Sequence, residues 1–183
     1  MIRFQSDRLL IRDIINDDLD VLLQLYTKKE NMKFISDGRT SWTKEQLNEK
    51  YKKCNRHNDA GAGVFVVCLK STNTIIGEVG LFDSFGDDKK LEMGYILDAT
   101  TRRQGFGTEL CNALILYGFN KLYIDTLISR MYCENMASVR VSEKCGMNRM
   151  KSGKTVGGRS FYEYEISNFL LSGENEQTKP VSK

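Results

Sequence analysis

The residues whose types and spacing point most directly to chemistry are Arg102-Arg103-Gln104-Gly105-Phe106-Gly107-Thr108. Two glycines let a ligand approach the main chain closely, the N–H groups of a helix start follow at once, and the helix dipole favours negative charge there. Arg102 and Arg103 add formal positive charge. A phosphate or pyrophosphate is the ligand that suits such a loop. No Lys-Ser/Thr follows the second glycine, which excludes a P-loop, and no third glycine completes a dinucleotide fingerprint. Taken alone, Gly105-Phe106-Gly107 fits an ordinary tight turn into a helix equally well.

Two carboxylates form a second set. Glu78 interrupts an apolar run on the same face as Ile76 and Phe82, and Glu92 does so beside Gly94 and Ile96. Each is either a general base or the partner of an arginine or a backbone amide. Cys54, Cys68, Cys111, Cys133 and Cys145 are widely spaced and form no Cys-x-x-Cys pair, so no zinc site is expected. They read as free, mostly buried thiols. The single histidine, His57, lies in a polar segment and reads as a surface residue, which leaves a cysteine nucleophile without a base.

These groups must be positioned by one domain, because 183 residues bury a substantial core without needing a second. The expected domain spans 1–171, with a polar, disordered tail at 172–183. A net charge of +3 is too small to suggest a nucleic-acid partner. The cations Arg39, Lys44, Lys50, Lys52, Lys53 and Arg56 are interspersed with Asp37, Glu45, Glu49 and Asp59, as on a solvated helix face. No apolar run approaches ~18 residues and no leader pattern opens the chain, so the expected location is cytoplasmic, with no membrane partner.

Periodicity supplies the elements. Residues 3–12 read as a strand, and Asn16-Asp17-Asp18 caps a helix to about Tyr26. Residues 27–42 show no period and read as a connection, after which Thr43 and Gln46 form a capping box for a helix through Cys54. Strands at 64–70 and 75–82 form a hairpin around Ser71-Thr72-Asn73. Leu91, Met93, Tyr95 and Leu97 alternate as in a strand, whereas Leu110, Ala113, Leu114 and Tyr117 line one face of a helix. A strand at 127–133, a helix at 136–145 and strands at 147–151 and 161–166 complete the chain. The fold class is α/β, or α+β by sheet type: a mixed, mostly antiparallel sheet flanked by helices, with a central β-α-β unit.

Three segments carry a family resemblance. Leu91-Glu92-Met93-Gly94-Tyr95-Ile96-Leu97 with Arg102 to Leu110 resembles the acetyl-CoA-binding motif of the GNAT N-acetyltransferase superfamily, and in particular its RimJ/RimL branch. Asn135-Met136-Ala137-Ser138 through Glu143-Lys144-Cys145-Gly146-Met147 follows that branch's second motif, with Met147 in place of the usual Phe. Asp7-Arg8-Leu9-Leu10-Ile11-Arg12 is similar to its opening strand.

The resemblance implies a GNAT-like fold whose strands at 90–97 and 127–133 splay apart, with acetyl-CoA as cosubstrate. The implied reaction is direct acetylation of an amine acceptor, a peptide N-terminus or a small molecule, in a ternary complex. Polyamines and antibiotics are alternative acceptors, and a non-catalytic acyl-CoA-binding regulator is the rival of another class. Implied cofactor contacts are Tyr95, Ile96 and Leu97, the loop Arg102, Arg103, Gln104, Gly105, Phe106, Gly107 and Thr108, and Asn135 with Ser138. Glu92 is the implied base ahead of Glu78, and Ser138, near Asn135, the group that meets the departing thiolate. Ser142 stands where many other GNAT enzymes place a tyrosine acid. The main chain at Tyr95 to Leu97 would polarise the thioester oxygen. Phe34 and Trp42 either border the acceptor site or simply pack. The assembly implied is a monomer or homodimer.

Overall fold

The computed structural model describes residues 1–55, 60–87 and 89–168. His57, Arg56, Asp59 and the expected tail at 172–183 lie outside these residues. Eight strands form one sheet: β1 Ile2–Gln5, β2 Leu9–Asp13, β3 Gly63–Leu69, β4 Ile75–Phe82, β5 Lys90–Leu97, β6 Thr126–Tyr132, β7 Asn148–Lys154 and β8 Ser160–Ser167. The spatial order is β1-β2-β3-β4-β5-β6-β8-β7. Only β5 and β6 run parallel, and the crossover helix α4 (Phe106–Lys121) joins them. This is the mixed, mostly antiparallel arrangement that the sequence pattern predicts.

Two differences are local. The opening strand is broken into β1 and β2 at Ser6–Arg8, where Glu109 of α4 accepts hydrogen bonds from Ser6 Oγ and the Arg8 N–H. Backbone groups drawn to another element leave the strand ladder, so the chain turns there. Within the expected connection at 27–42 lies a short helix, α2 (Lys29–Met32), directly after α1 (Leu19–Thr27). Helix α3 (Lys44–Cys54) begins at the predicted capping box, with Thr43 accepting from the Gln46 N–H.

The sheet is covered on both faces. On one side α4 and α5 (Met136–Lys144) bury Leu91, Met93, Leu110, Leu114, Leu127 and Ile166. On the other, α1 to α3 bury Leu22, Tyr26, Leu47, Val64, Val66 and Ile96. Each large apolar side chain so buried contributes roughly 1.5–3 kcal/mol relative to exposure. No helix among the described residues is long and apolar enough to cross a membrane.

Strands β5 and β6 pair only from Lys90–Met93 to Thr126–Ser129. Beyond that, residues 94–97 of β5 pair with β4 alone, and Arg130–Tyr132 of β6 pair with β8 alone. The two parallel strands therefore diverge, and a cleft opens in the middle of the sheet.

Candidate active site

The loop after β5 runs into the N-terminus of α4 beside this cleft. Gly105 is its N-cap with φ 84°, a left-handed conformation that a side chain disfavours. The backbone N–H groups from Arg103 to Thr108 find no acceptor among the described residues. Converging, unpaired N–H groups at the positive end of a 16-residue helix make an anion cradle, which fits a pyrophosphate.

Arg8 braces the loop from outside. Its guanidinium donates to Gln104 O at 3.0 Å, pairs with Glu109 at 2.6 Å and covers the Phe106 ring at 4.4 Å. Neighbouring contacts fasten the loop to α2. Lys28 pairs with Asp98 at 2.6 Å, buried Asn31 accepts from the Ala99 N–H, and Arg102 donates to Glu30 O at 2.7 Å. Burial raises the Asp98 pKa, but the Lys28 and Thr100 hydrogen bonds and the Lys28 charge outweigh it, holding the carboxyl at about 2. Arg102 is thus partly committed to the protein, while Arg103 is exposed beside the cradle.

Strand alternation decides which main-chain groups of β5 face the cleft. Asp98 gives its N–H to Ile76 O, so the polar groups of Ile96 turn toward β4, where Ile96 pairs with Glu78. Those of Tyr95 and Leu97 turn toward the gap. Ile96 is accordingly a core residue, packed beneath α1 to α3, with its main-chain groups directed to β4 rather than to the gap.

Helix α5 closes the cleft from the β6 side. Asn135 caps it, its Oδ1 accepting from the Ser138 N–H at 3.4 Å. Burial pushes the Tyr95 hydroxyl's pKa up, and a hydrogen bond with Ser138 opposes the push. Ser142, one turn further on, is buried at 2% exposure.

The two candidate bases have different surroundings. Glu78 is buried, accepts from the hydroxyls of Tyr26 and Tyr51, and pairs with Lys50 at 2.9 Å. Burial, with the Glu78 charge, raises the pKa of both tyrosines, so they remain donors. With its oxygens occupied, Glu78 anchors α1 and α3 to β4. Glu92 is half-buried at the edge of the cleft, pairing with Arg130 at 3.2 Å, and Arg130 also holds Glu163 at 2.7 Å. Sequence reading missed Arg130, Glu163 and Arg8. Arg130 and Glu163 face each other across β6 and β8, a register that sequence spacing does not reveal.

Above the diverging end of β6 lies a cavity of about 350 Å³ lined by Phe34, Ser36, Arg130, Met131, Tyr132, Thr155 and Phe161. Tyr132 donates to Ser36 O at 2.7 Å, joining the segment after α2 to β6. Phe34 is therefore at this cavity. Trp42 is not: it packs edge-on against Tyr26, beneath Arg39, and lines a separate groove along α3. Lys44, Lys50 and Lys52 on that helix are paired with Asp20, Glu78 and Glu49.

All five cysteines are unbridged. Cys111 and Cys145 lie together between α4 and α5, where their mutual hydrogen bond and burial raise the Cys111 pKa. No cluster of metal-ligating side chains occurs among the described residues.

Comparison with known proteins agrees with this geometry. The family described as Acetyltransferase (GNAT) domain matches residues 8–148. The uncharacterized N-acetyltransferase YnaD of Bacillus subtilis (strain 168) is 28% identical over 144 residues, 79% of this chain and 81% of that one. RimL, a ribosomal L7/L12 alpha-N-protein acetyltransferase solved with coenzyme A, superimposes with a TM-score of 0.80 at 16% identity, over 91% of this chain and 98% of its own. Spermidine N-acetyltransferase from Vibrio cholerae, with CoA and spermine, gives 0.77 at 21% identity, over 90% and 98%. The splayed β5–β6 pair, the anion cradle on α4 and the family match together place the chain in the GNAT acetyltransferase family, as an N-acetyltransferase that uses acetyl-CoA.

Proposed function

We propose that this enzyme belongs to the RimJ/RimL-like branch and acetylates a primary amine by direct attack in a ternary complex. The observation that carries the reading is the pairing of β5 with β6 over four residues only, with unpaired N–H groups at the mouth of the gap. The cradle at 103–108 holds the pyrophosphate of acetyl-CoA, which supplies an activated acetyl thioester. The main-chain N–H groups of Tyr95 and Leu97 face the gap and suit the thioester oxygen as negative charge develops on it.

The acceptor nitrogen forms a C–N bond to the acetyl carbon, the C–S bond breaks, and its electron pair leaves on sulfur. The nitrogen's surplus proton passes to Glu92 or to water. An α-amine with a reference pKa near 8 loses its proton at pH 7 for about 1.4 kcal/mol, so modest assistance suffices. Ser138 donates a hydrogen bond to the departing thiolate, which then takes up a proton from solvent. Asn135 fixes the start of α5 and hence the position of that hydroxyl.

The test is calorimetric titration with acetyl-CoA, followed by measurement of free thiol release in the presence of amines. Binding with amine-dependent thiol release supports the reading. Tight binding with no turnover of any amine would leave the acyl-CoA-binding regulator as the better description.

A further inference from the structure

Resting on the acetyltransferase reading, we infer that the acceptor is a small primary amine with one positive charge and an aromatic or branched apolar body. The argument begins with charge. Among the described residues that line the cavity, Arg130 is the one Lys, Arg, Asp or Glu. Its two carboxylates, Glu92 at 3.2 Å and Glu163 at 2.7 Å, leave that bridge with a single net negative charge. One ammonium is the cation it can neutralise.

Among the described residues the rim holds no second unbalanced carboxylate. Arg159 lies over the Tyr132 ring at 3.5 Å, and Glu134, 3.7 Å away, already balances it. Lys33 lies over the Phe34 ring at 5.0 Å. A polyamine would bring its further charges within about a Debye length of Lys33, where like charges repel.

The walls then select the body of the molecule. Tyr132 and Phe161 are direct cross-strand neighbours on β6 and β8, and Phe161 is in register with Gly153 on β7. A side-chain carbon at Gly153 would come within 2.9 Å of the Phe161 ring, so glycine there leaves the ring its seat. Phe34, from the segment after α2, also lines the cavity, and Met131 adds a polarisable surface. About 350 Å³ is near the lower end for small-molecule pockets and suits one ring better than an extended peptide.

Thiol release from acetyl-CoA, measured with 2-phenylethylamine, spermidine and a serine-initiated hexapeptide, tests the assignment. The expected result is a kcat/KM for 2-phenylethylamine at least tenfold above the other two. Phe161→Ala should lower that value about tenfold, mainly by raising KM, with acetyl-CoA affinity unchanged by calorimetry. Phe34→Ala gives the same readout from a different element should Phe161→Ala fail to fold. Preference for spermidine or the peptide, or aromatic substitutions that leave KM unchanged, would overturn the acceptor class and leave the acetyltransferase reading standing. Failure to bind acetyl-CoA would instead overturn that underlying reading.

Discussion

Arg8 and Glu109, 101 residues apart in the chain, meet at 2.6 Å and tie the first turn of the sheet to the first turn of α4. The same guanidinium reaches Gln104 O, so the loop before α4 is held by a residue from the turn between the opening strands. Arg8→Ala should weaken acetyl-CoA binding about three- to tenfold while costing little stability, because Arg8 is 50% exposed and such pairs contribute modestly. Calorimetry and thermal melts would separate the two effects. A melt lowered as far as the affinity would mean that Arg8 is a general brace.

Gly105 is expected to be sensitive even to alanine. Its φ of 84° costs a side-chain-bearing residue about 1–2 kcal/mol, and a Cβ would lie 3.3 Å from the Arg8 guanidinium. Gly105→Ala should therefore weaken acetyl-CoA binding, and Gly105→Val should do so severely. Unchanged affinity in a folded Gly105→Val protein would remove the cradle from the cofactor site.

Ser138→Ala should lower kcat roughly ten- to a hundredfold with acetyl-CoA affinity retained, since the hydroxyl meets charge only as the C–S bond breaks. Ser142→Ala, at a buried position, should instead act on stability by about 1 kcal/mol. Steady-state kinetics beside melting curves distinguish these, and a larger kcat loss for Ser142→Ala in a folded protein would transfer the role to Ser142.

Asp98 gives a pH dependence with a definite sign. Its folded pKa, about 2, lies below the unfolded carboxyl value near 3.9, so its stabilisation is present above pH ~4 and is lost as pH falls toward 2. Lys28 is 44% exposed and screened, which limits the contribution to about 1 kcal/mol. Asp98→Asn should lower stability at pH 7 and flatten the acid limb of the stability curve. An unaltered acid limb in denaturant titrations would show that Lys28 does not anchor α2 to the loop.

Tyr132→Phe removes the bond to Ser36 O and with it the tie between the segment after α2 and β6. The acceptor KM should rise about three- to tenfold at constant acetyl-CoA affinity. A change in acetyl-CoA affinity alone would place the tie in the cofactor site.

The sequence determined most of the elements and the glycine loop that opens α4, because both are local. The period-two pattern of 91–97, the capping box at Thr43 and Gln46, and the two glycines after Arg103 are short-range signals that need no tertiary knowledge. Glu92 and Ser138 were singled out through motif resemblance, Glu92 on β5 and Ser138 in the first turn of α5. Only the tertiary structure decided which partners those residues have. Glu92 and Glu78 look alike in sequence, yet one pairs with Arg130 at the cleft edge and the other is enclosed by Tyr26, Tyr51 and Lys50. Phe34 and Trp42, eight positions apart, line different cavities. The divergence of β5 from β6 was likewise out of reach of the residues themselves. A strand's pattern records which face it buries, whereas its pairing and the charges set opposite it depend on chain segments tens of residues away.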